Sequence, residues 1–206
     1  MAQTASSPPS FVIAATLAGR LYRVMRIARA MSLSASNAKG VAARAGEKAM
    51  GFRPITDFIA EMANTTIHHA TKINQHALSV SRASVAAERA RQARHYLQRA
   101  ADRFEGGQRG TEVIARMSRE ADRHQEALDQ DIRELIRTLS VELEEIHQTM
   151  RGANIIVTNS RTEASRAGDF RPYLESIADS VESAARDIQG EIGTCQALLE
   201  QLKKAS

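Results

Sequence analysis

A stretch that occurs twice sets the strongest limit on how this chain can fold. The first copy runs Asn37-Ala38-Lys39, then Ala43-Arg44-Ala45-Gly46-Glu47, then Phe52-Arg53-Pro54. The second runs Asn159-Ser160-Arg161, then Glu163-Ala164-Ser165-Arg166-Ala167-Gly168-Asp169, then Phe170-Arg171-Pro172. From Asn to Arg the spacing is the same in both, and the second copy lacks only the four residues between Glu47 and Phe52. In each copy Gly ends a helical run and Pro stands where a helix restarts. Gly is common just past a helix end because positive φ costs it nothing, and Pro is tolerated in a first turn. Each copy therefore predicts the sharp tip of an antiparallel helical hairpin, and two tips predict two hairpins.

The arms around the tips repeat every seven residues. On the first arm Leu17, Val24, Met31, Ala38 and Ala45 form one line, and Ile13, Leu21, Ala28, Ala35 and Ala42 fill the alternate seam. On the second arm Ile55, Met62, His69, His76, Ala83, Ala90, Leu97 and Phe104 are seven apart. Beside them run Ile59, Thr66, Ile73, Val80, Ala87 and Ala101, interrupted at Arg94. The third arm carries Leu128, Ile132, Leu135, Leu139, Leu143, Ile146, Met150, Ala153 and Val157, and the fourth Leu174, Ile177, Val181, Ile188, Ile192, Cys195, Leu199 and Leu202, spaced three, four or seven apart. No segment alternates polar and apolar as a strand would, so the repeat predicts helices packed lengthwise. The prolines stand at 8, 9, 54 and 172, which leaves the long arms unbroken.

Gly106, Gly107 and Gly110 close the chain between the second and third arms; with no strand before them and no Lys-Ser/Thr after, they read as a turn rather than a phosphate loop. The two long arms match in length, as do the two short ones, so both tips reach one end. The expected fold is all-α: an elongated, antiparallel, coiled-coil-like four-helix bundle made of two helical hairpins with pseudo-twofold symmetry. The expected limits are a disordered tail at 1–10 and one domain at 11–206, with hairpin one at 11–104, a linker at 105–110 and hairpin two at 111–204.

Composition agrees with long helices. Aromatics make up 4% of the 206 residues and Trp is absent. The formal charge of +4 is uneven: residues 1–54 hold eight Lys and Arg and one acid, Glu47. Arg20, Arg23, Arg26 and Arg29 recur every three residues and cover a broad sector of the first helix. The expectation is a solvated face; contact with nucleic acid, anionic lipid or an acidic partner is the alternative. Cys195 is the sole cysteine, which fits a reducing compartment. The apolar run at 11–18 is too short to span a bilayer and has no basic residue before it, so a cytoplasmic protein is expected.

Little in the sequence points to catalysis. His69 and His76 lie on the seam of the second arm, His147 on the third, and His95 and His124 near one level, with His68 turned to solvent. No Glu-x-x-His pair recurs at matching levels and no Cys joins a His, so structural histidines are expected rather than a metal site. Glu144-Glu145 reads as charged surface. No Ser or Cys has the neighbours of an activated nucleophile. The expectation is a protein without catalytic residues, metal or cofactor.

The first tip, read with its neighbours, resembles the cytoplasmic hairpin tip of bacterial methyl-accepting chemotaxis receptors. That family shows Asn-Ala-Ala-hydrophobic-Glu-Ala-Ala-Arg-Ala-Gly-Glu, four variable residues ending in Gly, then Phe. Asn37, Ala38, Ala42, Ala43, Arg44, Ala45, Gly46, Glu47, Gly51 and Phe52 match in place. The second tip is similar through Asn159, Glu163, Ala164, Arg166, Ala167, Gly168, Asp169 and Phe170. The first copy has Val41 where the family has Glu, and the second has Asp169 for the terminal Glu. In the family two chains each give one hairpin; here one chain holds both. The resemblance implies a soluble signalling or scaffold protein whose tips meet the chemotaxis histidine kinase, its coupling protein or receptor tips, with self-association through the tips as a further expectation. It places partner contact at Asn37, Arg44, Glu47, Phe52, Asn159, Glu163, Arg166, Asp169 and Phe170. The competing expectations are a basic helical protein on DNA or an anionic membrane, and a metal-binding bundle. Nucleic acid is disfavoured because no groove-reading motif accompanies the arginines.

Overall fold

In the structure, a computed structural model, residues 9–205 are described, and all regular structure among them is helical. Four helices follow one another: α1 (Ser10–Ala45), α2 (Phe52–Arg103), α3 (Gln108–Ala164) and α4 (Arg171–Ala205). Each packs against its neighbours in sequence, and α1 also packs against α4, which closes the ring. All four neighbouring pairs are antiparallel, the up-down-up-down arrangement that short connections allow. The expected all-α four-helix bundle of two hairpins is therefore the fold observed.

The seven-residue lines are the core. Every residue of both lines on α1 is buried, from Ile13 to Ala45. On α2 burial holds through Ile59, Thr66, Ile73, Val80 and Ala87; Thr66 is tolerated because its hydroxyl donates to the Met62 carbonyl at 2.8 Å. The core of α3 runs from Ile132 to Ala164 and that of α4 from Leu174 to Leu202. Toward the tips the α1 seam shrinks to Ala28, Ala35, Ala38 and Ala42.

The second seam does not stay buried along its whole length. Ile13, Leu17, Ala77, Val80, Leu139, Leu199 and Leu202 meet at one level, so α1 and α4 end about one turn beyond it. Past that level α2 and α3 continue as a two-helix stem, with no third helix beside them among the described residues. No residue between 88 and 124 is buried; Ala90, Leu97, Ile114, Ser118 and Ala121 are half-covered, and Phe104 is exposed. Arg94, the interruption in the pattern, reaches solvent and pairs with Asp122 at 3.3 Å. The twofold relation of the hairpins thus runs through the four-helix part, and the stem lies outside it.

The connections refine the expected limits. The chain turns at 104–107, where the Phe104 ring lies so close to Gly106 and Gly110 that a Cβ on either would collide with it as placed. As the ring stands it leaves no room for a side chain at 106 or 110, while Gly107 has open space around it. Ser10 is the first helical residue; Pro9 takes the cap position, its carbonyl accepting from the Val12 and Ile13 amides. The helices restart before the prolines: Pro54 and Pro172 sit inside the first turns of α2 and α4, where no amide is needed. Of the expected tail, residues 1–8 lie outside those described.

Candidate functional site at the paired tips

The two copies of the repeated stretch turn the chain in the same way. Gly46 has φ +60 and Gly168 has φ +57, the only positive values among the described residues. Each opens a short 3-10 turn, Gly46–Ala49 or Gly168–Phe170, from which the next helix grows. The second tip is tightened further: α3 ends at Ala164, and the Arg166 and Ala167 amides donate back three residues, to Glu163 and Ala164. The four extra residues of the first copy lengthen its turn without changing the role of its glycine.

The tips lie side by side. The Lys48 side chain approaches within 3.9 Å of where a Cβ on Gly168 would stand. Across the other flank the Glu163 carboxylate lies over Gly51, whose missing Cβ would fall 2.7 Å from its Cδ. Gly51 has φ −69, so its backbone does not require glycine, and a Cβ there would oblige the Glu163 carboxylate to move aside. One end of the bundle therefore presents a single composite surface drawn from both copies.

The nine residues assigned to partner contact divide in the structure. Asn37, Arg44, Glu47, Asn159, Arg166 and Asp169 are exposed. Arg44 has no ion-pair partner among the described residues. Arg166, with 70% of its side chain exposed, reaches Glu163 at 3.4 Å, an i,i+3 pair of the kind worth at most about 1 kcal/mol. Glu163 is half-buried, held between Arg166 and Gly51. Phe52 is fully buried and Phe170 packs half-buried against the core. The two rings plug the bundle end beneath the turns, because an aromatic just past each turn points back into the seam; neither forms the outer face.

Sequence reasoning missed the apolar part of this end. Phe58 is 58% exposed and Ile155 68% exposed. Phe58 and the residues Pro54, Ile55, Ile156, Asn159 and Glu163 line a groove between α2 and α3. The signal was present: Phe58 and Ile155 fall off the seven-residue seams, and a large apolar side chain off the seam has no core to enter. Equivalent cations of the two copies, Lys39 and Arg161, each bridge their own hairpin, to Asp57 and to Asp179 and Glu182.

The first-arm arginines are not uniformly solvated. Arg20 and Arg23 converge on Glu191 of α4 at 3.2 and 3.1 Å, while Arg26 and Arg29 have no ion-pair partner among the described residues. Half-way along the bundle His69 Nδ1 lies 2.6 Å from Glu142 Oε2, and Lys72 lies 3.4 Å from Oε1. Facing a carboxylate, that ring nitrogen donates. Burial pushes the Glu142 carboxyl up, but the His69 hydrogen bond and the Lys72 charge outweigh it and hold the group below the usual carboxylate range. Burial and the nearby Glu191 push the Cys195 thiol up to about 12, the setting of an inert core thiol. Among the described residues no group of three or more His, Cys, Asp and Glu is placed to hold a metal ion, and no helix is long and apolar enough to cross a membrane. No protein-family model and no curated protein matches this sequence.

Proposed function

We propose that the chain is a chemoreceptor-like signalling or scaffold protein whose joined tips form its contact surface. Its partners on this reading are chemoreceptor tips, the chemotaxis histidine kinase or the kinase's coupling protein. The observation that carries the reading is the pairing of two resembling turns in one chain. Both glycines take a positive φ near 60°, both tips stand at one end, and Arg44 and Arg166 are exposed at equivalent places. Two chains would each supply one such tip in the receptors; one chain supplies both here. Arg offers a planar fork of donors suited to carboxylates across an interface. Glu47 and Asp169 set exposed acids beside the arginines, so the surface can pair with a like surface or with a partner of mixed charge. The groove edged by Phe58 adds an apolar anchor next to those charges.

The reading is tested by Arg44→Ala combined with Arg166→Ala. The double variant should keep its helical content and its melting temperature within about 2 °C, since both side chains are exposed. It should lose co-purification with the chemotaxis kinase, coupling protein and receptors from a chemotactic bacterium's cytoplasm. A sharp fall in melting temperature with association intact would make the arginines structural and end the assignment of the tips as the contact surface.

A further inference from the structure

Charge is divided between the two hairpins. Residues 1–104 hold fifteen Lys and Arg against five Asp and Glu, and residues 105–206 hold thirteen against nineteen. Every ion pair joining the hairpins follows that division. Arg20 and Arg23 meet Glu191, His69 and Lys72 meet Glu142, and Arg94 meets Asp122. The cationic side chain always comes from the first hairpin and the carboxylate from the second. The first hairpin is not neutralised by this. Nine of its fifteen Lys and Arg have no ion-pair partner among the described residues, whereas only Glu47, Glu61 and Asp102 of its acids lack one.

Three of the nine form a line. Arg82, Arg89 and Arg103 stand at multiples of seven along α2, all exposed, and Tyr96, 68% exposed, takes the remaining place. Seven residues are nearly two full turns, so the line is straight, with positions about 10.5 Å apart. It runs out of the four-helix part onto the stem. There Ala93 and Ala100 fall between the arginine line and the α2–α3 seam, and both are exposed. The matching flank of α3 carries Met117 and Val113, each nearly half-exposed. The stem therefore carries an apolar strip edged by cations and uncovered by the described residues, where α2 and α3 have no third helix among them.

We propose that this strip docks an acidic amphipathic helix of another protein. The helix lies along α2 with its apolar side on Ala93, Ala100, Met117 and Val113. Carboxylates seven residues apart on it meet Arg82, Arg89 and Arg103. The molecule already uses this chemistry internally, since its basic hairpin holds an acidic hairpin through cation-to-carboxylate pairs in one direction only. The spacing also selects a helix over a nucleic acid duplex. A straight line at about 10.5 Å keeps register with a parallel or antiparallel α-helix, whereas duplex phosphates wind away around their own axis. Guanidinium–carboxylate pairs supply orientation and the apolar strip supplies burial. The site is remote from the tips and stands whether or not the tip reading does.

The experiment uses the whole chain and a labelled synthetic helix with Leu on one seam and Glu every seven residues. Comparison probes are the same peptide with Gln for Glu, and a duplex DNA of similar length. Fluorescence anisotropy should show the Glu peptide binding at least roughly tenfold tighter than the Gln peptide, with affinity falling as salt rises from about 50 to about 300 mM. Arg82→Gln, Arg89→Gln and Arg103→Gln together should cost roughly tenfold or more in affinity at unchanged melting temperature, and Arg89→Gln alone about threefold. The tip variant with Arg44→Ala and Arg166→Ala should bind the peptide as the unaltered protein does. Equal binding of the Glu and Gln peptides, undiminished binding by the line variants, absence of peptide binding, or tighter binding of the DNA would each overturn the proposal.

Discussion

Gly46 and Gly168 hold backbone angles that a side chain resists. At Gly46, φ +60 combines with ψ −131, a region open to glycine and costly for any residue with a Cβ. Gly46→Ala or Gly168→Ala should each destabilise the fold by about 1–2 kcal/mol in denaturant melts. Gly40 is the control: it sits inside α1 with open space where a Cβ would go, so Gly40→Ala should stabilise by about 0.5–1 kcal/mol. Equal effects at all three sites would show that the turns do not need their glycines. Glu142 supplies a second residue-scale outcome. Its side chain is 14% exposed and its carboxyl titrates below the usual range, so folding favours the ionised form. The stability it contributes is complete above the unfolded value, about pH 4.3, and is lost as pH falls through the lower folded value. Glu142→Gln should cost about 1–2 kcal/mol at pH 7, and the gap from the unaltered protein should close on acidification toward pH 3. A gap that is flat with pH would remove the ionised pair from the account.

At the scale of elements, α2 and α3 each have two regimes. Below the level of Val80 they are one side of a closed four-helix core; above it, among the described residues, they hold only each other. Local stability follows the number of buried apolar groups, so amides at 90–120 should exchange with solvent far faster than those at 59–80 and 139–157. Equal protection along α2 would mean that the stem is covered in solution. The repeat of seven made the helices and their buried lines legible, because on a helix a residue's face follows from its position alone. It said nothing of where the cover stops. Leu97 and Ile73 look alike in the pattern, yet Ile73 is buried and Leu97 half-exposed, because burial depends on the ends of α1 and α4. The same limit applied at the tips. Arg44 and Arg166 were legible as outward charges beside turns, while Phe52 was drawn to the surface by its place in the motif and proved to be core. Phe58 went unseen since only the packed hairpins reveal which off-seam residues border a groove.

For the whole molecule, the arm lengths decide the shape. Helices of 36 and 35 residues flank helices of 52 and 57, and the four-residue link at 104–107 joins the long pair, so both tips are driven to the same end. The division of charge between the hairpins supports that closure, since each hairpin finds opposite charge in the other and like charge in its own kind. The two surfaces proposed for partners then lie at its two ends: a composite tip at one, the cationic stem at the other. The central claim is that one chain brings both tips together. Spin labels at positions 47 and 169, in a sample diluted with unlabelled protein, test it most directly by electron–electron distance measurement. With neighbouring helix axes about 10 Å apart, the account predicts a narrow distribution below about 30 Å that dilution leaves unchanged. A separation approaching the roughly 75 Å length of the long arms, or a short distance that vanishes on dilution, would contradict it.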